Sequence, residues 1–147
     1  MTSKQGNAKG RKAHGAFFKM PSSVINSKNY QGLSGNAAKL LTQICDQFKG
    51  GNNGDLQASF NIFKARGWKS PVTLQKCIDE LINSGLLYKT RQGFFPKTCS
   101  LFAVTWLRID EKPSYKYDPT ARELVGKTLG INHLENNNPS CTETVSI

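Results

Sequence analysis

The 147-residue chain is short of acid, of histidine and of long apolar runs. No stretch approaches the roughly 20 apolar residues that a spanning helix needs, so no membrane segment is expected. The opening MTSKQGNAKGRKAHGAFF carries basic residues but no apolar centre, which argues against a secretory signal. The four cysteines, Cys45, Cys77, Cys99 and Cys141, form no C-x-x-C pair. The two histidines, His14 and His133, fall in polar flanking segments. A zinc site is therefore not expected, and neither metal nor cofactor is assigned. Nothing asks for an oxidising compartment, so the expected location is the cytoplasm.

Acid is the scarcest charge, with 10 Asp+Glu against 20 Lys+Arg and a net charge of +10. The first acid is Asp46. The excess sits before Ser100, where the balance is +11; beyond it the balance is −1. A basic body with a near-neutral tail points to a polyanionic partner, nucleic acid ahead of an anionic membrane surface. The few acids are scattered and no nucleophile has a base nearby, so an enzyme is not expected and no catalytic residue is assigned. GGNNGD (50–55) lacks the Lys-Ser/Thr of a phosphate loop, and Gly126-Lys127-Thr128 has Ala121 where that motif needs glycine. Both are read as turns.

What is present is one globular domain's worth of apolar residues, 37% of the chain, diluted at both ends. Composition divides the chain into a disordered basic arm (1–16), a folded domain (17–110) and a partly disordered C-terminal extension (111–147), polar throughout 132–147. In the arm, Lys9, Arg11 and Lys12 could track phosphates or enter a minor groove.

Within the domain, Pro21 suits the first turn of a short helix over 22–26. Ser34 is a good N-cap, and Ala37, Leu40, Leu41, Ile44, Cys45 and Phe48 form one stripe of a helix predicted over 35–49 and stopped by Gly50-Gly51. Leu56 to Ala58 reads as a very short strand. Ser59 caps a short helix over 60–66 whose buried side is Phe60, Ile62 and Phe63. Gly67-Trp68-Lys69 then leads straight to the next cap, Ser70, with Pro71 at the first helical position. Two helices joined so briefly match a helix-turn-helix.

The second of these helices buries Leu74, Cys77, Ile78, Leu81 and Ile82, and ends at Ser84-Gly85. Its opposite face carries Lys69, Val72, Lys76, Asp79 and Asn83, flanked by Thr73 and Glu80. Basic and small residues occupy the N-terminal half and acids lie mostly further along, the polarity needed to enter a major groove. A plain solvated face would look the same. Leu86 to Tyr88 opens a strand, Lys89 to Gly93 forms a basic tip, and Leu101 to Leu107 returns with apolar residues on both faces. The loop carries Lys89, Arg91 and Lys97 without an acid. Further on, a short helix is read over 120–126. Leu124, Val125 and Leu129 are the only candidate for an apolar dimerising face.

The stretches GLSGNAAKLL, GGNNGDLQAS, RGWKSPVTLQKCIDELINSGLL and LFAVTWLRID resemble the small winged-helix proteins of bacterial phages, prophages and plasmids, a group linked to replication initiation. The resemblance covers about Phe17 to Asp110. It implies an α+β fold, a winged helix-turn-helix with a three-helix core and a small β-wing. It also implies binding of double-stranded DNA through Ser70 to Ser84, with wing contacts around Lys89 to Lys97. The loop from Phe94 to Ser100 departs from the basic, glycine-rich wings common in such proteins.

The leading expectation is sequence-specific duplex DNA binding in replication initiation or transcriptional control of a mobile element. Lys69, Ser70, Val72, Thr73 and Lys76 would face the groove, and Lys89, Arg91 and Lys97 the phosphates. A homodimer and contacts to replication or transcription proteins are open. The alternative is a protein-interaction module that uses the same fold without DNA.

Overall fold

The computed structural model describes residues 15–94, 97–111 and 116–136. Two single-turn helices, α1 (Ser22–Ile25) and α2 (Lys28–Gln31), lead into the first long one, α3 (Gly35–Cys45). Ser34 caps α3 as its sequence suggests, accepting the Ala37 N–H at 3.2 Å. The cap is itself held from outside: the Glu80 carboxylate accepts the Ser34 N–H at 2.6 Å and the Ser34 hydroxyl at 2.9 Å.

α3 ends at Cys45 rather than Lys49. The next amides close tighter turns, Gln47 N–H to Ile44 O and Phe48 N–H to Cys45 O. The side chain of Gln47 then leaves the helix axis to bond both backbone groups of Gln57, at 2.7 and 3.0 Å. Asn52 ties the far side of the turn to Gln47 O and Lys49 N. Loop hydrogen bonds thus outcompete another helical turn before the glycines are reached.

α4 (Phe60–Phe63) continues as a 3₁₀ turn over Lys64–Arg66 and stops at Gly67, whose φ of 98° is the left-handed conformation that favours glycine. Phe63 is fully buried, whereas Ile62, expected inside, is 39% exposed. Phe60 and Phe63, three residues apart, share the inward face of this single turn, with Phe60 partly buried against the core, and Ile62 falls off that face. α5 (Pro71–Asn83) starts as read, with the Ser70 hydroxyl accepting from Thr73 N and Pro71 in the first turn. It buries Leu74, Cys77, Ile78 and Leu81 against α3. Each fully buried leucine contributes about 1.5–3 kcal/mol relative to exposure.

β1 (Leu87–Arg91) and β2 (Leu101–Val104) form an antiparallel hairpin with an irregularity between Lys89 and Arg91. The first strand therefore runs on through residues assigned to the tip, because Thr90 is drawn fully inside by a 2.6 Å hydrogen bond from its hydroxyl to Gly54 O. The second is shorter than read, ending at Val104 where Thr105 turns to bond Gly85 O. Leu56 makes a single bridge to Phe102 instead of a strand. Beside it, the buried Asn53 carboxamide accepts from Val104 N at 2.9 Å and donates to Val104 O at 3.1 Å. That side chain does for Val104 what a third strand would do.

Both faces of the hairpin are covered. Leu87, Phe102 and Val104 pack into the helical core, while Ala103 joins a second cluster with Ile109, Tyr117 and Ala121. The second cluster is built by the C-terminal extension, whose short helix is α6 (Pro119–Arg122), not 120–126. Leu124, Val125 and Leu129 pack partly buried against it, so the supposed dimerising stripe covers the protein's own sheet.

Residues 132–136, expected to be disordered, include α7 (His133–Asn136), with His133 only 9% exposed. What draws them in is the turn after α5. Asn29 donates to Ser84 O and Ile131 O, and Gly85 lies so close to Ile131 O that a side chain would collide with it. Residues 1–14 of the expected basic arm and the expected tail from 137, including Cys141, lie outside the described residues. Among the described residues no helix is long and apolar enough to cross a membrane. The fold is thus α+β: a helical core, a two-stranded antiparallel sheet and a C-terminal cover.

Candidate nucleic-acid interface

The turn between α4 and α5 is fixed from α3. Gln43 accepts the Trp68 indole N–H at 2.7 Å and donates to Arg66 O at 3.2 Å, so one carboxamide pins both sides of Gly67. Trp68 is buried behind it. The three residues predicted to join two helices are therefore a rigid corner, and the N-terminus of α5 projects from it.

Four cations surround this corner. The Lys39 ammonium stands 5.4 Å over the Trp68 ring and the Arg66 guanidinium 5.5 Å over the Phe63 ring. Lys64 and Lys69 are exposed beside them. Cation–aromatic contacts of this kind hold a long side chain in place while its charge faces water. Lys69 was read from sequence; Lys39, Lys64 and Arg66 were not. The signal for Lys39 was its place on α3, on the turn carrying Gln43, but only the fold brings α3 to the turn.

On α5, Val72 is 63% exposed, and Thr73 and Lys76 are exposed beside it. Gln75, missed in the sequence, is exposed next to Lys76 with its amide donating to Asp79 at 3.0 Å. Ser70 is half-buried and its hydroxyl is occupied as the cap, which leaves it an anchoring rather than a reaching residue.

The hairpin residues are placed differently from the reading. Lys89 and Arg91 lie in β1, half-buried, not at a tip. The Arg91 guanidinium folds back to Cys99 O at 2.8 and 3.2 Å, and Lys89 donates to Gln92 at 2.9 Å. Lys97 is exposed, and so is Phe94, at 72%. Phe95, Lys9, Arg11 and Lys12 lie outside the described residues.

Between α4, α5 and the hairpin runs a cleft of about 940 Å³. Ion pairs join Arg108 to Asp110 and Lys116 to Asp55. None of the cations around the corner or on α5 has a carboxylate partner among the described residues. The acids of α5 are engaged instead, Glu80 at the α3 cap and Asp79 with Gln75. A surface of one sign concentrates polyanions.

Burial pushes the Cys45 thiol up to about 12, and burial followed by the Glu80 charge raises Cys77. Both sulfurs are packing groups, not nucleophiles. Among the described residues no three His, Cys, Asp or Glu side chains gather as a metal site would require. Neither a family model, nor a curated protein, nor a solved structure matches the chain.

Proposed function

We propose that the chain is a duplex DNA-binding protein of the winged helix-turn-helix class, with α5 as the recognition helix and the β1–β2 hairpin as the wing. The observation that carries this reading is the corner itself. Lys39, Arg66 and Lys69 flank the start of α5 without carboxylate partners among the described residues, beside the exposed Val72, Thr73 and Lys76. Cations around a projecting helix N-terminus supply phosphate contacts on both groove walls, and the helix supplies base contacts. Gln75 and Lys76 carry the side-chain chemistry that reads adenine and guanine edges, and Val72 suits a thymine methyl. Lys97 adds a phosphate contact from the hairpin, with Lys89 in support.

The reading extends to replication initiation or transcriptional control of a mobile element, in the cytoplasm, with two copies on paired half-sites. Selection of bound sequences from random duplexes tests it. Recovery of a defined site supports the reading, and a site with two-fold symmetry supports the dimer. Affinity for that site should fall with salt at a log–log slope of about −0.9 per phosphate contacted. A protein that binds no duplex at low salt is instead an interaction module of the same fold.

A further inference from the structure

The cleft beside α5 combines three kinds of surface. Its floor is apolar, from Phe60, Leu74, Ile78 and Phe102. Its walls carry the carboxamides of Gln57, Asn61, Gln75 and Gln92. Lys89 and Lys97 stand on the hairpin side, and no Asp or Glu is among the described residues that line it. The volume, about 940 Å³, lies at the upper end of the roughly 300–1,000 Å³ of small-ligand sites.

The carboxamides are not all spent on the fold. Asn61 is exposed and has no hydrogen-bond partner among the described residues. The Gln57 side-chain oxygen takes the Ser59 hydroxyl and the Cys99 thiol, and its amino group is left to donate. Lys89 is steadied by Gln92 at the cleft wall.

A paired base hides its faces in the stack and its pairing edge in the partner strand. An unpaired nucleotide offers a flat apolar face, a free edge of donors and acceptors, and a charged phosphate at once. These match an apolar floor, free carboxamides and lysines respectively. A bare anion would leave the floor unused, and an apolar peptide would leave the carboxamides and lysines unused. The geometry points to single-stranded DNA as the occupant of this cleft, with bases on the Phe60 floor and phosphates toward Lys89 and Lys97. This inference rests on the DNA-binding reading above and adds a second, unpaired substrate to it.

The test uses the full chain and fluorescence anisotropy. The probes are a mixed-sequence duplex, the same duplex with a central gap of a few nucleotides, and a single-stranded oligothymidylate. The gapped duplex should bind at least fivefold tighter than the intact one. Asn61→Ala, an exposed change, should remove most of that difference and leave intact-duplex affinity within twofold. Arg66→Ala should weaken both duplexes alike. If the intact duplex binds and neither the gap nor the oligothymidylate is preferred, the cleft inference fails and the duplex reading stands. If no DNA binds at low salt, both fail. If polyglutamate displaces the oligothymidylate as readily as unlabelled oligothymidylate does, the cleft reads charge alone and the inference is overturned.

Discussion

Asn53 and Asp110 hold each other by their backbones and one carboxylate: Asn53 N–H donates to Asp110 Oδ2 and Asp110 N–H to Asn53 O, both at 2.8 Å. The Asn53 side chain, with no exposed surface, spends its carboxamide on Val104, Leu107 and Arg108. One buried residue thus joins the NNG turn to β2 and to the chain that leaves it.

Asn53→Ala strands the Val104 N–H and carbonyl in the interior. Each buried group left unsatisfied costs about 1–3 kcal/mol, so a total loss of about 2–4 kcal/mol is expected in urea unfolding. A loss below about 1 kcal/mol would show that other groups can take over these bonds.

Glu80 is expected to act at a distance from its own helix. Replacing it with alanine frees the Ser34 cap of α3 and should cost about 1 kcal/mol in thermal or urea unfolding, the usual scale of a lost cap. The same change removes the charge that helps raise Cys77, so alkylation of Cys77 at a fixed mildly basic pH should quicken.

Gly85 has a φ of 89°, and a methyl group there meets Ile131 O. Gly85→Ala should therefore cost at least about 2 kcal/mol, from backbone strain and collision together. Amide exchange should rise first at 130–133, before the α3–α5 core opens.

His133 supplies a pH dependence. Desolvation by burial lowers its pKa, while its hydrogen bond to the Gly85 backbone pulls the other way; the net direction is down. The unfolded state then binds the proton more readily than the folded one. The stability this gives is complete above the ordinary imidazole value of about 6.5 and is lost as pH falls from there toward the lowered value. Unfolding midpoints should drop across that window, and His133→Phe should flatten the drop. An unchanged slope in the variant would place the titration elsewhere.

On DNA, Lys76→Ala should cost about 1–3 kcal/mol and relax specificity at one base position. Lys39→Ala and Arg66→Ala should weaken all sequences evenly and each reduce the salt slope by about 1. A loss of specificity on Arg66→Ala would move the reading surface from α5 to the corner.

Much of this arrangement was written locally. Ser70-Pro71 fixed the start of α5, and Ser34 that of α3, because capping depends on neighbours in sequence. The 3.6-residue stripes of both helices were equally plain. What could not be read were pairings across long separations. Glu80 looked like a solvated acid and is a cap 46 residues away. Arg91 looked like a phosphate contact and is bonded to Cys99 O. The polar composition of 132–136 said disorder, yet Asn29 holds Ile131 and carries the segment down onto the turn after α5. Lys39 was invisible as a neighbour of the turn because its position comes from the packing of α3 on it, through Gln43.

The bonds of Asn53 and Leu56 have a further consequence for how the molecule meets copies of itself. A two-stranded sheet ordinarily exposes a row of unpaired peptide groups, an invitation to strand addition. Here the outward groups of Phe102 are taken by Leu56, and those of Val104 by a side chain. On the other strand, Asp118 closes Thr90 O and Gln92 N–H beside the irregularity. β2 has no free bonding edge to offer an incoming strand. An assembly of two copies across β2 would have to be built from side chains, because that strand cannot seed strand addition.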